Sequence, residues 1–322
     1  PAPAPAMARD QREEAPALAP MPARDGKAPA PSGGHRKPLA VFLQVGTPKV
    51  WPDLQQCLSN VLEGANGNTT FPPREVDVHL GFPKRTEPDI TKDALLVSGQ
   101  VAELVQKWND GGGRAPVKLF VNDTLENKGA DIGVFLQQAL QVQDPSRYGL
   151  LLKVHSKSTD VWRCQALTSL CGTAEQVREI LLRFDEQPEL GFLGPWALTW
   201  TWDTPVLETY CKLGDFGFRK NGVEKDMKNV WESIFKNKSF PSREQYAMSA
   251  GTMWWSRSAP LLEDAQLRDA ASWFVPSLPV GYSTSCSSLQ CHIPFALERI
   301  LPTIFTAWYG LVFAEAPNKV IR

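Results

Sequence analysis

The sequence predicts an α/β domain built on a mostly parallel sheet with helices on both faces. Three observations carry this. Short apolar runs end in Gly or in polar residues, stretches of helical spacing lie between them, and the two kinds alternate from Leu39 to Gly194.

The run LAVFLQVG, Leu39 to Gly46, suits a buried first strand. Leu54, Cys57, Leu58, Val61 and Leu62 then fall on one face of a helix that Pro52 can start. Val76, Val78 and Leu80 alternate in a second strand. Val101, Leu104, Val105 and Trp108 have helical spacing, and Gly111 to Gly113 stop that helix. VKLFVN, Val117 to Asn122, is the third strand, followed by the turn-rich NKGADIG and a helix from Phe135 to Val142. YGLLLKVHSK supplies a fourth strand that ends in polar residues at His155 to Lys157. Thr173 and Gln176 form a capping box ahead of Val177, Ile180, Leu181 and Phe184, and Gly191 to Gly194 make the next strand. Further on, a charged helical region is expected over 207–238, a strand within AMSAGTMWWS, and a buried apolar helix near Ala296.

Residues 1–37 are mostly Pro, Ala and charge, which cannot bury enough surface to offset ordering entropy, so a disordered tail or linker is expected. Residues 38–322 form the single domain. The net charge of −1 with mixed signs leaves no electrostatic footprint for nucleic acid. The tail lacks the apolar run of a signal peptide, and the stretch from Ile300 to Ala314 is too short to span a bilayer. A soluble domain is expected, cytoplasmic or lumenal, with tethering by a segment outside this chain left open. The six Cys contain no C-x-x-C pair, and unpaired buried thiols are the reading; Cys164–Cys171 or Cys286–Cys291 are the pairs available in a secretory lumen.

Four segments carry chemistry. Ligands of open parallel sheets sit at the C-terminal strand ends, where NKGADIG and VHSK fall. Asp131 is placed to cap the helix after the third strand, or to contact a donor nucleotide. His155 and Lys157, two apart on a strand end, point the same way; they form a solvated strand end, or Lys157 with a protonated His155 neutralises a diphosphate leaving group. Trp254 and Trp255 are core aromatics or the wall against which an acceptor sugar stacks. Glu298, beside Arg299 on an otherwise apolar helix, is either solvated or the general base for an acceptor hydroxyl. No P-loop, G-x-S-x-G elbow, H-E-x-x-H or dinucleotide fingerprint is present.

Together the segments resemble the rhamnan-synthesis protein F family of polysaccharide glycosyltransferases. The residues that carry the resemblance are Asn127, Gly129, Asp131 and Ile132; His155, Lys157 and Ser158; Trp162 and Arg163; Leu170 and Gly172; Leu193 and Gly194; Gly251, Thr252, Met253 and Trp255; and Leu297, Glu298 and Arg299. Two positions depart from the family pattern: Ala130 stands where Arg is usual, and Phe295 where His is usual, with His292 three residues earlier.

The resemblance implies a GT-A-like fold and transfer of a sugar, such as the deoxyhexose rhamnose, from a nucleotide-sugar donor to a glycan acceptor with inversion. Asn127, Gly129, Asp131 and Ser158 would then hold the donor. Lys157 and His155 would stabilise the diphosphate, and Glu298 would activate the acceptor beside Trp254, Trp255 and Arg299. Where related folds carry a metal-binding Asp-x-Asp, this chain has His155-Ser156-Lys157, so no metal site is expected. The competing expectation is a non-catalytic glycan-binding or scaffold module that keeps the fold.

Overall fold

A computed structural model describes residues 36–84, 88–196, 198–201, 223–235, 239–242, 245–278, 280, 289–307 and 309–316. Nine strands lie in these residues: β1 (Leu39–Gln44), β2 (Val76–Pro83), β3 (Val117–Leu125), β4 (Leu150–His155), β5 (Leu190–Gly194), β6 (Thr199–Thr201), β7 (Ala247–Ser249), β8 (Trp254–Arg257) and β9 (Val312–Glu315). Seven of them form one sheet in the order β3-β2-β1-β4-β8-β5-β9, and β6 pairs with β7 in a small antiparallel ribbon. The pairs β1–β2, β1–β4, β2–β3 and β5–β9 are parallel. Strand β8 runs antiparallel to both of its neighbours, so the sheet is mixed but mostly parallel.

β1 and β4 are buried along their whole length. That is why they read as continuous apolar runs rather than alternating ones: both faces are covered by helices. On one side α1 (Trp51–Ala65) packs with α4 (Asp160–Cys171) and α5 (Ala174–Glu186). α3 (Ala130–Leu140) packs instead against α8 (Ala265–Phe274) and α9 (Leu289–Ala307). The remaining helices are α2 (Pro88–Asp110), α6 (Val223–Ile234) and the short α7 (Ala259–Leu262). Successive residues of a strand face opposite ways. Trp254 accordingly stacks edge-on with Phe135 of α3, while the Trp255 indole N–H donates to the Leu170 carbonyl of α4 at 2.9 Å.

Several expectations need correction. The cap of α3 is Gly129, in the left-handed region at φ 66°, and Asp131 sits inside the first turn. A side chain at Gly129 would meet that conformation and also the Leu278 Cδ1, 2.3 Å from an ideal Cβ. AMSAGTMWWS is two strands, β7 and β8, broken by a turn at Ala250 to Met253. Of the charged region over 207–238, the structure describes α6 and its immediate surroundings, and the rest lies outside the described residues. The capping box is half realised: Thr173 Oγ1 accepts from the Gln176 N–H, but the Gln176 amide turns to the Ser169 carbonyl instead of returning to the cap.

The thiols are not all unpaired. Cys57 of α1 and Cys171 at the end of α4 form a disulfide across 114 residues, and Cys164 is free and exposed. Cys286 and the side chain of Cys291 lie outside the described residues, as do the Pro/Ala-rich residues 1–35. Arg36 is held, with its guanidinium 4.4 Å from the Phe71 ring centre and 3.2 Å from Asp185. No helix among the described residues is long and apolar enough to cross a membrane.

Candidate active site

From β1 the sheet continues to β2 and β3 on one side and to β4 on the other, so the chain direction of winding reverses between β1 and β4. In open α/β sheets that point leaves a crevice outside the carboxyl ends of the two strands. A cleft of about 700 Å³ lies there. Gln44, Gly46 and Thr47 line it from the end of β1, and His155, Ser156, Lys157 and Ser158 from the end of β4. Asn127, Ala130 and Asp131 approach from the start of α3, and Trp162 from α4.

Ser156 ties the two strand ends together. Its N–H donates to the Gln44 carbonyl at 2.9 Å, and its Oγ accepts the N–H groups of Gly46 and Thr47 at 2.7 and 2.8 Å. Arg163 fixes the next segment, donating to the Lys157 carbonyl at 2.7 Å while paired with Asp53 and Asp160. The Lys157 ammonium lies 5.3 Å from the Trp162 ring centre, within cation–π range.

Beneath the cleft is an ionic cluster. Lys153 and His155, two apart on β4, face the same side and meet Asp131. Lys153 Nζ lies 2.9 Å from Asp131 Oδ2 and donates to the Thr252 carbonyl at 2.7 Å. Thr252 Oγ1 donates to the same Asp131 oxygen. His155 Nε2 lies 2.8 Å from the Gly251 carbonyl, and since a carbonyl only accepts, this nitrogen carries the proton. Among the described residues, Ala130 (φ 53°) and Thr252 (φ 57°) are the non-glycine residues in the left-handed region; Ala130 directly precedes Asp131, and Thr252 is its hydroxyl partner. Backbone strain of this kind persists where surrounding contacts over-determine it.

Burial opposes the charged form of Asp131, but His155, Lys153, Lys157 and the Thr252 hydroxyl outweigh it and hold the carboxyl well below the usual carboxylate range. Burial pushes the Lys153 ammonium below the usual lysine range although Asp131 pulls it upward. His155 goes down to about 4, again through burial, against the pull of Asp131. The imidazole is therefore neutral at pH 7. The protonated His155 considered from the sequence is thus not the form this site holds near neutral pH.

The sequence-predicted residues divide into two groups. Asn127, Asp131, His155, Lys157 and Ser158 share the cleft, with Gly129 setting the start of α3 beside them. Glu298 is not among the residues that line the cleft: its Oε1 accepts the Gly251 N–H at 2.9 Å, and Oε2 is 3.7 Å from the Arg299 guanidinium. Arg299 is buried. Trp254 and Trp255 are fully buried, because β8 is an interior strand with both faces covered, so neither presents an exposed ring for a sugar to stack on. Among the described residues, the aromatic side chain lining the cleft is Trp162. The side chains of Phe295 and His292 lie outside the described residues. Sequence reasoning missed Lys153, whose signal was a lone lysine within the apolar run LLLKVH.

The profile of rhamnan synthesis protein F matches residues 99–285, more than half of the chain and including β4, the start of α3 and the Gly251 turn. The chain belongs to this family. The family's description ties it to rhamnan synthesis, and the resemblance found in the sequence is thereby shown. The matched region of this rhamnan synthesis family member holds every described cleft residue except those at the ends of β1 and β2. Glu298 and Arg299 fall beyond it. Among curated proteins, none matches the chain.

Proposed function

We propose that the chain is a glycosyltransferase of rhamnan polysaccharide synthesis, GT-A-like in fold, that binds a nucleotide sugar in the cleft between β1 and β4. The observation that carries this reading is a cleft at the sheet's switch point, with Lys157 at its rim and strained backbone around Asp131 at its floor. A rhamnose donor fits the family's description.

In this reading the nucleoside diphosphate lies along the end of β4. Lys157 faces the bridging and leaving oxygens, whose negative charge grows as the anomeric bond breaks. Trp162 offers a flat apolar face beside it for the base or the sugar ring. Asn127 and Ser158 supply hydrogen bonds to the donor. Asp131 is ionised and locked, so it orients donor hydroxyls rather than taking a proton. His155 serves by fixing the Gly251 carbonyl, and the turn it holds presents the Gly251 N–H to Glu298. With Oε1 engaged there, Oε2 of Glu298 is the oxygen that would take the acceptor proton. The acceptor then attacks the anomeric carbon from the side opposite the diphosphate, with inversion. The positive charge of Lys157, where related folds place a metal-binding carboxylate pair, makes transfer independent of an added divalent metal.

The second reading, a non-catalytic glycan-binding module, draws on one observation: Lys153 and Asp131 are engaged with each other. A panel of nucleotide sugars, scored both by thermal shift and by transfer, separates the two. A ligand that binds only the native state raises the melting temperature by mass action. Stabilisation with turnover supports the enzyme; stabilisation without transfer or hydrolysis supports the binding module; no stabilisation by any nucleotide sugar contradicts the donor cleft.

A further inference from the structure

The segments Asn68-Thr69-Thr70 and Asn122-Asp123-Thr124 both have the form Asn-x-Thr with x other than Pro. That form marks acceptors of N-linked glycans in chains that traverse an oxidising secretory compartment. We propose that Asn68 and Asn122 are such acceptors, and that this domain matures in that compartment. This goes beyond the donor cleft and does not depend on it.

Three independent features support the assignment. The first is local geometry. Asn68, Thr69 and Thr70 are exposed in the connection between α1 and β2. Thr70 Oγ1 donates to Asn68 Oδ1 at 2.9 Å, and Thr124 Oγ1 donates to Asn122 Oδ1 at 3.1 Å. In both cases the hydroxyl that the motif requires engages the amide oxygen, and Nδ2 makes no hydrogen bond among the described residues.

The second is the sheet edge. β3 is the terminal strand, and Phe120 and Val121, directly before Asn122, are 45% and 49% exposed. An open edge with exposed apolar side chains is a template for unwanted strand pairing unless something covers it. Asn122 and Phe120, two apart on β3, share a face, so a bulky, hydrated glycan on Asn122 would shield Phe120 at this edge. The third is the Cys57–Cys171 disulfide, because such bonds persist in oxidising compartments and are rare where thiols are kept reduced.

The transfer is chemically complete with one co-reactant, an oligosaccharide carried on a lipid diphosphate. Nδ2 forms a bond to the anomeric carbon as that carbon's bond to the diphosphate oxygen breaks. The lipid diphosphate leaves with the electron pair, and one amide proton passes to a base of the transferring enzyme.

The test uses the full chain isolated from its own source. Glycans are released by a peptide N-glycosidase in heavy-oxygen water, followed by peptide mapping without reduction. The expected result is a heavy-oxygen carboxylate at positions 68 and 122, together with a linked Cys57–Cys171 peptide. Thr70→Ala and Thr124→Ala should each remove one glycan, while Thr70→Ser and Thr124→Ser, which keep the hydroxyl, retain it. Unmodified amides at both positions overturn the proposal, and an unmodified amide at one overturns the assignment of that residue. Free thiols at Cys57 and Cys171 overturn the compartment.

Discussion

The Lys153 ammonium is completely buried and lies 2.9 Å from the Asp131 carboxylate, which lines the cleft. A charge this deep is tolerated only when paired and hydrogen-bonded. Lys153 meets both conditions through Asp131 and the Thr252 carbonyl, and its ammonium lies 5.1 Å from the Trp254 ring centre. The pair thus clamps three elements, α3, β4 and the turn before β8, beneath one site.

Lys153→Met keeps the apolar stem against Trp254 and Phe135 but leaves the carboxylate beside it. Breaking one partner of a buried pair typically costs about 3–5 kcal/mol. Asp131 is partly exposed, so a loss of about 3 kcal/mol is expected in urea unfolding. Asp131→Asn combined with Lys153→Met should recover part of that loss, giving a coupling of about 1–3 kcal/mol in a double-mutant cycle. Additive losses would show that the two side chains do not act as a pair.

Stability should rise with pH between about 4 and about 6.5. His155 and His79 are each pushed down to about 4 by burial, whereas a histidine in the unfolded chain titrates near 6.5. Within that window the unfolded chain binds more protons, so acid favours unfolding, by about 1.4 kcal/mol per pH unit for each histidine. Asp131, depressed below the usual range, adds a further loss at lower pH. Urea midpoints measured from pH 7.5 to 4.5 check the slope. His79 stacks between Phe42 and Phe120, and His79→Phe should flatten part of it.

Removing the disulfide as Cys57→Ala with Cys171→Ala should lower stability by about 2–5 kcal/mol, since closing a loop of 114 residues restricts the unfolded chain strongly. Thermal unfolding with and without reductant measures it. An unchanged melting temperature on reduction would mean that the packing of α1 on α4 suffices alone.

Much of the fold was legible because β1, β4 and β5 are buried on both faces and so appear as uninterrupted apolar runs. The direction of β8 was not, because orientation depends on the turn at Gly251 and Thr252 rather than on residue pattern. The cleft was legible from Asp131, His155 and Lys157, since parallel strands bring their C-terminal ends together. Trp254 and Trp255 could not be assigned to core or cleft from the sequence, because an aromatic pair after a glycine looks the same whether its strand lies inside a sheet or at a cleft. The Cys57–Cys171 pairing was equally invisible, since spacing alone does not select among the six cysteines.

Glu298→Gln should fold normally, because the amide oxygen can still accept the Gly251 N–H. Transfer should fall by about 10²–10⁴-fold, the usual cost of losing a general base, with donor affinity nearly unchanged. Normal turnover in this variant would place the base elsewhere, and unfolding would make Glu298 a structural clamp on the turn.

The most direct measurement is calorimetric titration of nucleoside diphosphates against the wild-type chain and Lys157→Met. A hydrogen bond to a charged group is worth about 1.5–3 kcal/mol, so affinity should drop roughly tenfold or more. The melting temperature should hold, because Lys157 lies at the rim and outside the buried pair. Equal affinity in the two proteins, or no binding to either, would contradict a diphosphate site at the end of β4.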